Sequence, residues 1–244
     1  MGGAINSVAG GGGFIAFPAL MFTGVPSINA NATNTIALWP GTVASTGAYR
    51  KALDGRVLRK ILPLIVITIL GSLAGSRLLL HTRQSTFDKE IPWLMLTATL
   101  LFAFGGRVTA RMIRNQLDQE PSRLQVAVGI LVQLCVAVYI GYFGAGAGIV
   151  MLALLTMMGI ENIHTMNGLK TLLATCGNGV AIVVFILARA VYWPQALLMV
   201  TGAILGGYGG AYFAQKLSTK AVRALVITIG CTMTGYFFWK TWVM

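Results

Sequence analysis

The chain has 244 residues, of which 56% are hydrophobic and only 10% are charged. A water-soluble surface cannot be built from so few charged side chains, whereas a surface that faces lipid can. The formal net charge of +12 does not indicate a nucleic-acid-binding face, because the basic residues cluster in short segments between apolar runs. The composition therefore predicts an all-α, polytopic integral membrane protein that lies in a lipid bilayer and binds no nucleic acid.

Apolar stretches that approach the length of a membrane-spanning helix, about 20 residues, recur along the chain. They cover residues 36–49, 61–80, 91–104, 124–143, 169–187, 196–213 and 222–239. Two shorter stretches, 14–22 and 149–158, each follow a glycine cluster. They are too short to cross the membrane and are predicted to be half-helices.

The distribution of Lys and Arg predicts the orientation, because cytoplasmic loops of membrane proteins collect basic residues. Residues 50–60 contain five of them, residues 107–123 contain four and residues 216–223 contain three. The intervening loops contain few, namely Arg83 and Lys89 in one and Arg189 in another. The three basic segments are therefore predicted to face the cytoplasm in a multi-pass protein of the cell inner membrane.

The two halves of the chain resemble each other. The matching positions are 10–20 with 145–155 and Gly24 with Gly159 at an offset of 135, Asn31 with Asn167 and Gly41 with Gly177 at an offset of 136, and 70–75 with 205–210 at 135 again. Under the predicted orientation the equivalent helices run in opposite directions. The sequence therefore predicts two inverted repeats, an arrangement in which secondary transporters place the substrate site at the repeat interface.

This symmetry divides one transmembrane domain into a first repeat, residues 1–118, and a second repeat, residues 119–244. About 20 apolar residues precede Gly144, but only nine residues precede Gly10. The first repeat is therefore expected to lack most of the helix that corresponds to residues 124–143.

Several segments of the chain are distinctive: NSVAGGGGFIAFPAL at 6–20, NANATNT at 29–35, GYFGAGAG at 141–148, MNGLK at 166–170, and VYWP at 191–194 leading to GGYGG at 206–210. In these segments the sequence resembles the sulfite exporter TauE/SafE family of membrane permeases, and the resemblance covers essentially the whole chain. The resemblance implies an inner-membrane protein that exports sulfite, sulfonates or related small anions.

Glycines that precede the half-helices are the first candidate substrate-binding residues. They are Gly11, Gly12 and Gly13 in the first repeat and Gly146 and Gly148 in the second. The free N–H groups and the positive dipole end of a half-helix suit an anion. The alternative is close helix packing, which is the interpretation preferred for the small-xxx-small pairs Gly71 with Gly75 and Gly206 with Gly210.

Polar residues at the start of a long helix in each repeat form the second group of candidates. They are Asn31, Thr33 and Asn34 in the first repeat and Asn167 and Lys170 in the second, with Asn178 further along. Their recurrence at equivalent positions favours a binding site. The alternative is that their amides and hydroxyls only cap the helices.

Lys170 stands among apolar neighbours. An ammonium group at membrane depth is costly and by default marks a functional site. The alternative is that its side chain extends to the cytoplasmic interface. Because Asn34 is the equivalent position in the first repeat, Lys170 and Asn34 are expected to offer one charged and one neutral donor to a single anion.

Other classes of function find less support. The sequence contains no HExxH or GxSxG motif and no pair of carboxylates within the apolar stretches, so an enzyme is not predicted. A membrane scaffold that assists assembly of another complex is the main alternative, although a scaffold gains nothing from helices broken within the membrane. Lys170 disfavours uptake of a cation. The prediction is a transporter of a small anion without metal or cofactor, and a homo-oligomer is left open.

Overall fold

The computed structural model describes residues 12–116, 122–160, 162–214 and 219–243, without the side chains of residues 56, 57, 60, 108–110, 112–116, 123, 204–214 and 219–223. This part of the chain is helical and contains no strand, in agreement with the predicted all-α class. Its helices are α1 (Gly13–Phe22), α2 (Ser27–Ala48), α3 (Gly55–His81), α4 (Gln84–Gln116), α5 (Arg123–Tyr142), α6 (Ala147–Met157), α7 (Ile163–Leu187), α8 (Trp193–Ala214) and α9 (Thr219–Trp242), with a short 3₁₀ turn at Arg50–Ala52.

Three of the described helices are long and apolar enough to cross a membrane. The segments that meet this condition are Ile61–His81 in α3, Leu124–Tyr142 in α5 and Ile163–Leu187, which is the whole of α7. α1 and α6 have only 10 and 11 residues. At 1.5 Å per residue each is about 15 Å long, or half the hydrocarbon thickness of a bilayer. Both are therefore half-helices, as predicted.

The long helices begin earlier than the predicted apolar stretches, and α2 and α7 are the two that matter for the site. α2 starts at Ser27 rather than at residue 36, and α7 starts at Ile163 rather than at residue 169. The first turns of both helices carry polar side chains, which lower the local hydropathy without breaking the helix. Hydropathy marks the part of a helix that faces lipid or core, and it misses turns that face a polar cavity.

The two half-helices end in the same hydrogen-bonded turn. The closing bonds are Val25 N to Leu20 O at 3.3 Å in α1 and Ile160 N to Leu155 O at 3.1 Å in α6. Gly24 and Gly159 precede these donors and have positive φ angles of 84° and 75°, as a Schellman motif requires. Corresponding atoms are 135 residues apart, so this match supports the internal repeat. The inverted relation of the two halves stays a prediction.

α3 packs closely against α5 along a face of small residues. A Cβ atom at Gly71 would lie 2.6 Å from the Cβ of Ala137. A Cβ atom at Gly75 would collide with the backbone of Val138, and one at Gly141 with the backbone of α3. Glycine at these positions allows the two backbones to approach, which is how membrane helices gain contact area. The close-packing interpretation of Gly71 and Gly75 is therefore confirmed.

α2 and α7 run antiparallel at the centre of the molecule. Three contacts give their register: Asn29 Nδ2 to Ala190 O at 2.8 Å, Trp39 Nε1 to Thr175 O at 3.0 Å, and the backbone of Gly168 against Tyr49. α2 also packs against α8, and α7 packs against α3. Trp39 and Thr175 are equivalent positions at the 136-residue offset. A two-fold axis relating the repeats would therefore pass between them.

The two ends of the molecule differ in composition. The end that holds the connector from α2 to α3, with Arg50 and Lys51, is called the basic end. The opposite end, called the tryptophan end, holds the start of α8 and the end of α9. Its tryptophans are Trp93, Trp193, Trp239 and Trp242, and about half or more of each side chain is exposed. Exposed tryptophans at one level are typical of a membrane–water interface.

Candidate functional site

A cavity of about 510 Å³ lies between α1, α2, α6 and α7. On α2 it extends from Asn31 to Tyr49, and on α7 it extends from Asn167 to Asn178. It therefore follows the central helix pair toward the basic end. No acidic residue is among its described lining residues.

One face of α2 lines the cavity, mostly with polar side chains. The residues of α2 are Asn31, Asn34, Thr35, Leu38, Trp39, Gly41, Thr42 and Ser45, and Tyr49 follows at its C-cap. They recur every three or four positions, the spacing that places side chains on one face of a helix. The polar face of α2 is thus turned to the cavity.

Lys170 presents the positive charge of the cavity wall. Its Nζ atom donates to Asn167 Oδ1 at 3.1 Å. The amide nitrogen of Asn167 donates to Ile163 O at 3.0 Å, which turns the amide oxygen toward the ammonium group. This partner is neutral, so it orients Lys170 without cancelling its charge. The arrangement can attract an anion.

The stem of Lys170 lies on the first turn of α6. A Cβ atom at Gly148 would be 3.3 Å from Lys170 Cδ. Gly146 is the N-cap of α6, with φ of 78° and no side-chain cap. The N–H groups at the start of α6 and the ammonium group therefore border the same part of the cavity. Both favour a negative charge.

The first repeat makes the corresponding contact with an amide in place of the ammonium group. A Cβ atom at Gly13, in the first turn of α1, would lie 3.6 Å from Asn34 Nδ2. Gly13 and Gly148 are equivalent at an offset of 135, and Asn34 and Lys170 at 136. In each repeat the side chain of a long helix covers a glycine in the first turn of the half-helix.

Eight of the eleven predicted binding residues line this cavity. They are Gly13, Asn31, Asn34, Gly146, Gly148, Asn167, Lys170 and Asn178. Gly12 is the N-cap of α1 and is not among the described lining residues. Gly11 lies outside the described residues, as do the side-chain surroundings of Gly206 and Gly210.

Thr33 lies away from the cavity. Its side chain is fully buried, and the hydroxyl accepts a hydrogen bond from Tyr192 N at 3.1 Å. This bond holds α2 to the segment that precedes α8. Thr33 is a structural residue, and its prediction as a binding residue is not supported.

The alternative that the polar runs cap the helices is wrong for these asparagines. The N-cap of α2 is Pro26. The N-cap of α7 is Asn162, whose Oδ1 accepts from His164 N at 2.9 Å and Thr165 N at 3.1 Å. Asn31 and Asn167 lie in the second turn of their helices, so their side chains are free to face the cavity.

The charged and the neutral donors lie at different depths. Asn34 is five residues from Trp39 toward the tryptophan end, and Lys170 is five residues from Thr175 toward the basic end. The hydrogen bond between Trp39 and Thr175 places those two positions side by side. At 1.5 Å per residue, the backbones of Asn34 and Lys170 are about 15 Å apart along the helices. Their backbones therefore lie at different depths of the cavity, which favours two separate contacts over the single shared anion expected from sequence.

Aromatic side chains close the cavity toward the tryptophan end. Phe17 packs edge-on against Phe143 with ring centroids 5.5 Å apart, and both side chains are buried. Next to Phe143, the hydroxyl of Tyr142 donates to the carboxylate of Glu90. The cavity therefore stops short of this end.

Several lining residues were not predicted, among them Trp39, Thr42, Ser45, Tyr49 and Thr171. The signal that could have found those on α2 is the recurrence of polar residues every three or four positions within the apolar stretch 36–49. The aromatic pair Phe17 and Phe143 had no such signal, because aromatic side chains are common in any buried surface.

Comparison with known proteins agrees with this architecture. The model of the sulfite exporter TauE/SafE family matches residues 1–237. A probable membrane transporter protein of Haemophilus influenzae is 28% identical over 234 residues, which cover 95% of this chain and 88% of that protein. Probable membrane transporter protein YfcA of Escherichia coli is 27% identical over 242 residues, or 96% of this chain and 85% of that protein.

A third relative, probable membrane transporter protein YunE of Bacillus subtilis, is 24% identical over an alignment of 257 positions, which covers 95% of this chain and 93% of that protein. No solved structure matches the chain. The family comprises membrane transporters rather than enzymes. The family match over nearly the whole length, together with the helical fold, means that the chain belongs to the sulfite exporter TauE/SafE family of membrane transporters.

Proposed function

We propose that this transporter exports a small anion, such as sulfite or an organosulfonate, from the cytoplasm across the cell inner membrane. The observation that carries the proposal is the position of Lys170. Its ammonium group is bonded to a neutral amide and borders a cavity whose described lining contains no carboxylate. The family name, sulfite exporter, supports this substrate class.

Electrostatics favours an anion at this site over a cation. A charged side chain within a membrane costs about 2.5–3.5 kcal/mol on insertion scales, and it is tolerated where it faces a polar cavity or a partner. An anionic substrate would supply the missing partner charge. The N–H groups at the start of α6 would add a second attraction at the same place. A cation would be repelled by both.

The orientation proposed for the molecule supports export as the direction of transport. With the basic end in the cytoplasm, the cavity extends toward the cytoplasmic face and is closed beyond Phe17 and Phe143. An anion that leaves a negatively charged cytoplasm gains about 2.3 kcal/mol per charge for each 100 mV. The membrane potential can therefore drive export of an anion without a coupled ion.

Replacement of Lys170 tests the proposal. Lys170→Met keeps the length and apolar bulk of the side chain but removes the charge. We expect the half-saturation concentration for sulfite efflux from proteoliposomes to rise at least tenfold, about 1.4 kcal/mol of binding. Lys170→Arg should restore it in part, because a planar guanidinium replaces a compact ammonium group.

Lys240 offers a matched control, since it is an exposed lysine in the last turn of α9. Lys240→Met removes the same charge at a distance from the cavity, and it should leave the half-saturation concentration unchanged. If Lys170→Met transports sulfite with the half-saturation and anion preference of the wild type, the proposed role of Lys170 is wrong.

A further inference from the structure

The end of the cavity near Asn31 and Asn34 contains buried acceptors without donors. Among the described residues, the Oδ1 atoms of Asn31 and Asn34 find no hydrogen-bond partner. The side chains are only 2% and 8% exposed, so bulk water does not solvate them freely. Both residues line the cavity. Buried acceptors are normally satisfied, which indicates that a bound molecule completes this site.

The orientation of the Asn31 amide is set by its other bond. Its Nδ2 atom donates to Tyr142 O at 2.9 Å. A carbonyl oxygen can only accept, so exchanging the amide oxygen and nitrogen would place two acceptors face to face. The Oδ1 atom of Asn31 is therefore an acceptor that only a donor or a cation can satisfy.

Donors for an anionic group lie beside these acceptors. Asn34 covers Gly13, and the N-terminus of α1 has no side-chain cap. The N–H groups of this first turn suit a negative charge. This end of the cavity thus presents the first turn of α1 and the amide nitrogen of Asn34 next to the amide oxygens. A ligand that matches both has an anionic group and a hydrogen-bond donor in one molecule.

A metal or sodium ion is the less suitable occupant. The described lining contains no carboxylate, and the positive charge of Lys170 and the N-termini of α1 and α6 border the same cavity. A cation at the two amide oxygens would face the N-terminus of α1 without a carboxylate to neutralise it. A hydroxyl or amine donor carried by an anion meets only complementary groups.

We propose that Asn31 and Asn34 form an acceptor subsite that selects anions bearing a hydroxyl or amine group over anions that only accept hydrogen bonds. This inference rests on the proposed export function and narrows its substrate class. The subsite is separate from the one at Lys170, because the two lie about 15 Å apart along the helices. An anion would meet Lys170 first and this subsite later on its way out.

The test compares two sulfonates that differ by one hydroxyl group, ethanesulfonate and 2-hydroxyethanesulfonate. Efflux of each from proteoliposomes is measured with the full chain. For the wild type we expect a half-saturation concentration at least about tenfold lower for the hydroxyl compound, since a site that binds a hydroxyl rejects the analogue without it. In Asn34→Leu and Asn31→Leu the two compounds should become equal.

The variants differ in their risk to folding. Asn31→Leu removes the hydrogen bond to Tyr142 O. Asn34→Leu removes no hydrogen bond found among the described residues. Thr33→Val is the matched control, because it removes a buried polar group from the same turns of α2 on a side away from the cavity. It should retain the preference for the hydroxyl compound. Thermal unfolding of the purified variants separates loss of fold from loss of selectivity.

Each possible result supports or overturns the proposed acceptor subsite. Equal half-saturation of the two sulfonates in the wild type overturns the acceptor subsite while the export function stands. A preference that persists in Asn34→Leu and Asn31→Leu also overturns it. If efflux in the wild type stops when sodium is replaced by N-methylglucamine, and the variants lose this dependence, the amides bind a cation instead. A wild type that carries neither sulfonate nor sulfite overturns the export function and this inference with it.

Discussion

Two glycines that line the cavity differ in what an added methyl group would meet. Gly146 has φ of 78°, and a Cβ atom there would lie 3.2 Å from Ala98 O. Gly13 is helical, and its nearest neighbour would be Asn34 Nδ2 at 3.6 Å, an ordinary contact. A left-handed backbone costs an L-residue about 1–2 kcal/mol. Gly146→Ala should therefore lower the free energy of unfolding by about that amount, as measured by thermal unfolding in detergent.

Gly13→Ala is the control for this prediction. Since its added methyl group has room, its stability should stay within about 0.5 kcal/mol of the wild type. Equal melting temperatures for the two variants would show that the turn before α6 tolerates a side chain. The presence of a glycine at position 146 would then need another explanation.

At the scale of helices, the pairing of α3 with α5 depends on backbone approach. A Cβ atom at Gly75 would lie 2.8 Å from the carbonyl carbon of Val138 and 3.1 Å from Tyr142 N. These are backbone atoms, so the contact is relieved only if the helices separate. Overpacking of this kind costs roughly 1–3 kcal/mol. Gly75→Ala should lower the melting temperature of the purified protein, and transport should fall with it.

Gly202 in α8 provides the matched control for Gly75, because a Cβ atom there would meet nothing within 4 Å. Gly202→Ala also replaces a helical glycine by a better helix former. Its stability should be equal to the wild type or slightly higher. A Gly75→Ala protein as stable as Gly202→Ala would mean that α3 and α5 are less closely packed than the structure indicates.

At the scale of the whole molecule, we propose that the two repeats are inverted in the membrane. Thr23 and Met158 follow the half-helices at equivalent positions, 135 residues apart. Inverted repeats would place them on opposite sides. In a chain whose Cys135, Cys176 and Cys231 are replaced by Ser, Thr23→Cys should react with a membrane-impermeant thiol reagent in intact cells. Met158→Cys should react only in inside-out vesicles.

Labelling of both cysteines from the same side would contradict the inverted arrangement. It would leave the helices, the cavity and the family unchanged, because none of these depends on the orientation. A thiol reagent that crosses the membrane is the control, and it should label both variants in both preparations. This control separates an inaccessible side chain from one on the other side.

Much of the architecture could be predicted because a bilayer imposes local rules. In lipid, backbone N–H and C=O groups must form hydrogen bonds with each other, which a helix allows. A long apolar stretch is therefore predicted to be a spanning helix, and a short one that follows a glycine cluster is predicted to be a half-helix. The predicted half-helices 14–22 and 149–158 nearly coincide with Gly13–Phe22 and Ala147–Met157. Most of the predicted binding residues share one cavity for a related reason. Polar side chains within the membrane need a polar environment, and the cavity provides one.

The helices, the class of protein and the polar residues within the membrane could be predicted from the sequence, since they follow from the cost of placing polar atoms in lipid. The direction and depth of each polar side chain depend on how the helices pack. Thr33 and Asn34 are neighbours in sequence, yet one bonds to Tyr192 and the other faces the cavity. Lys170 and Asn34 occupy equivalent positions, yet the antiparallel pairing of α2 with α7 sets them about 15 Å apart. Helix rotation and register depend on contacts between residues more than 100 positions apart, such as Trp39 with Thr175, and no local pattern records them.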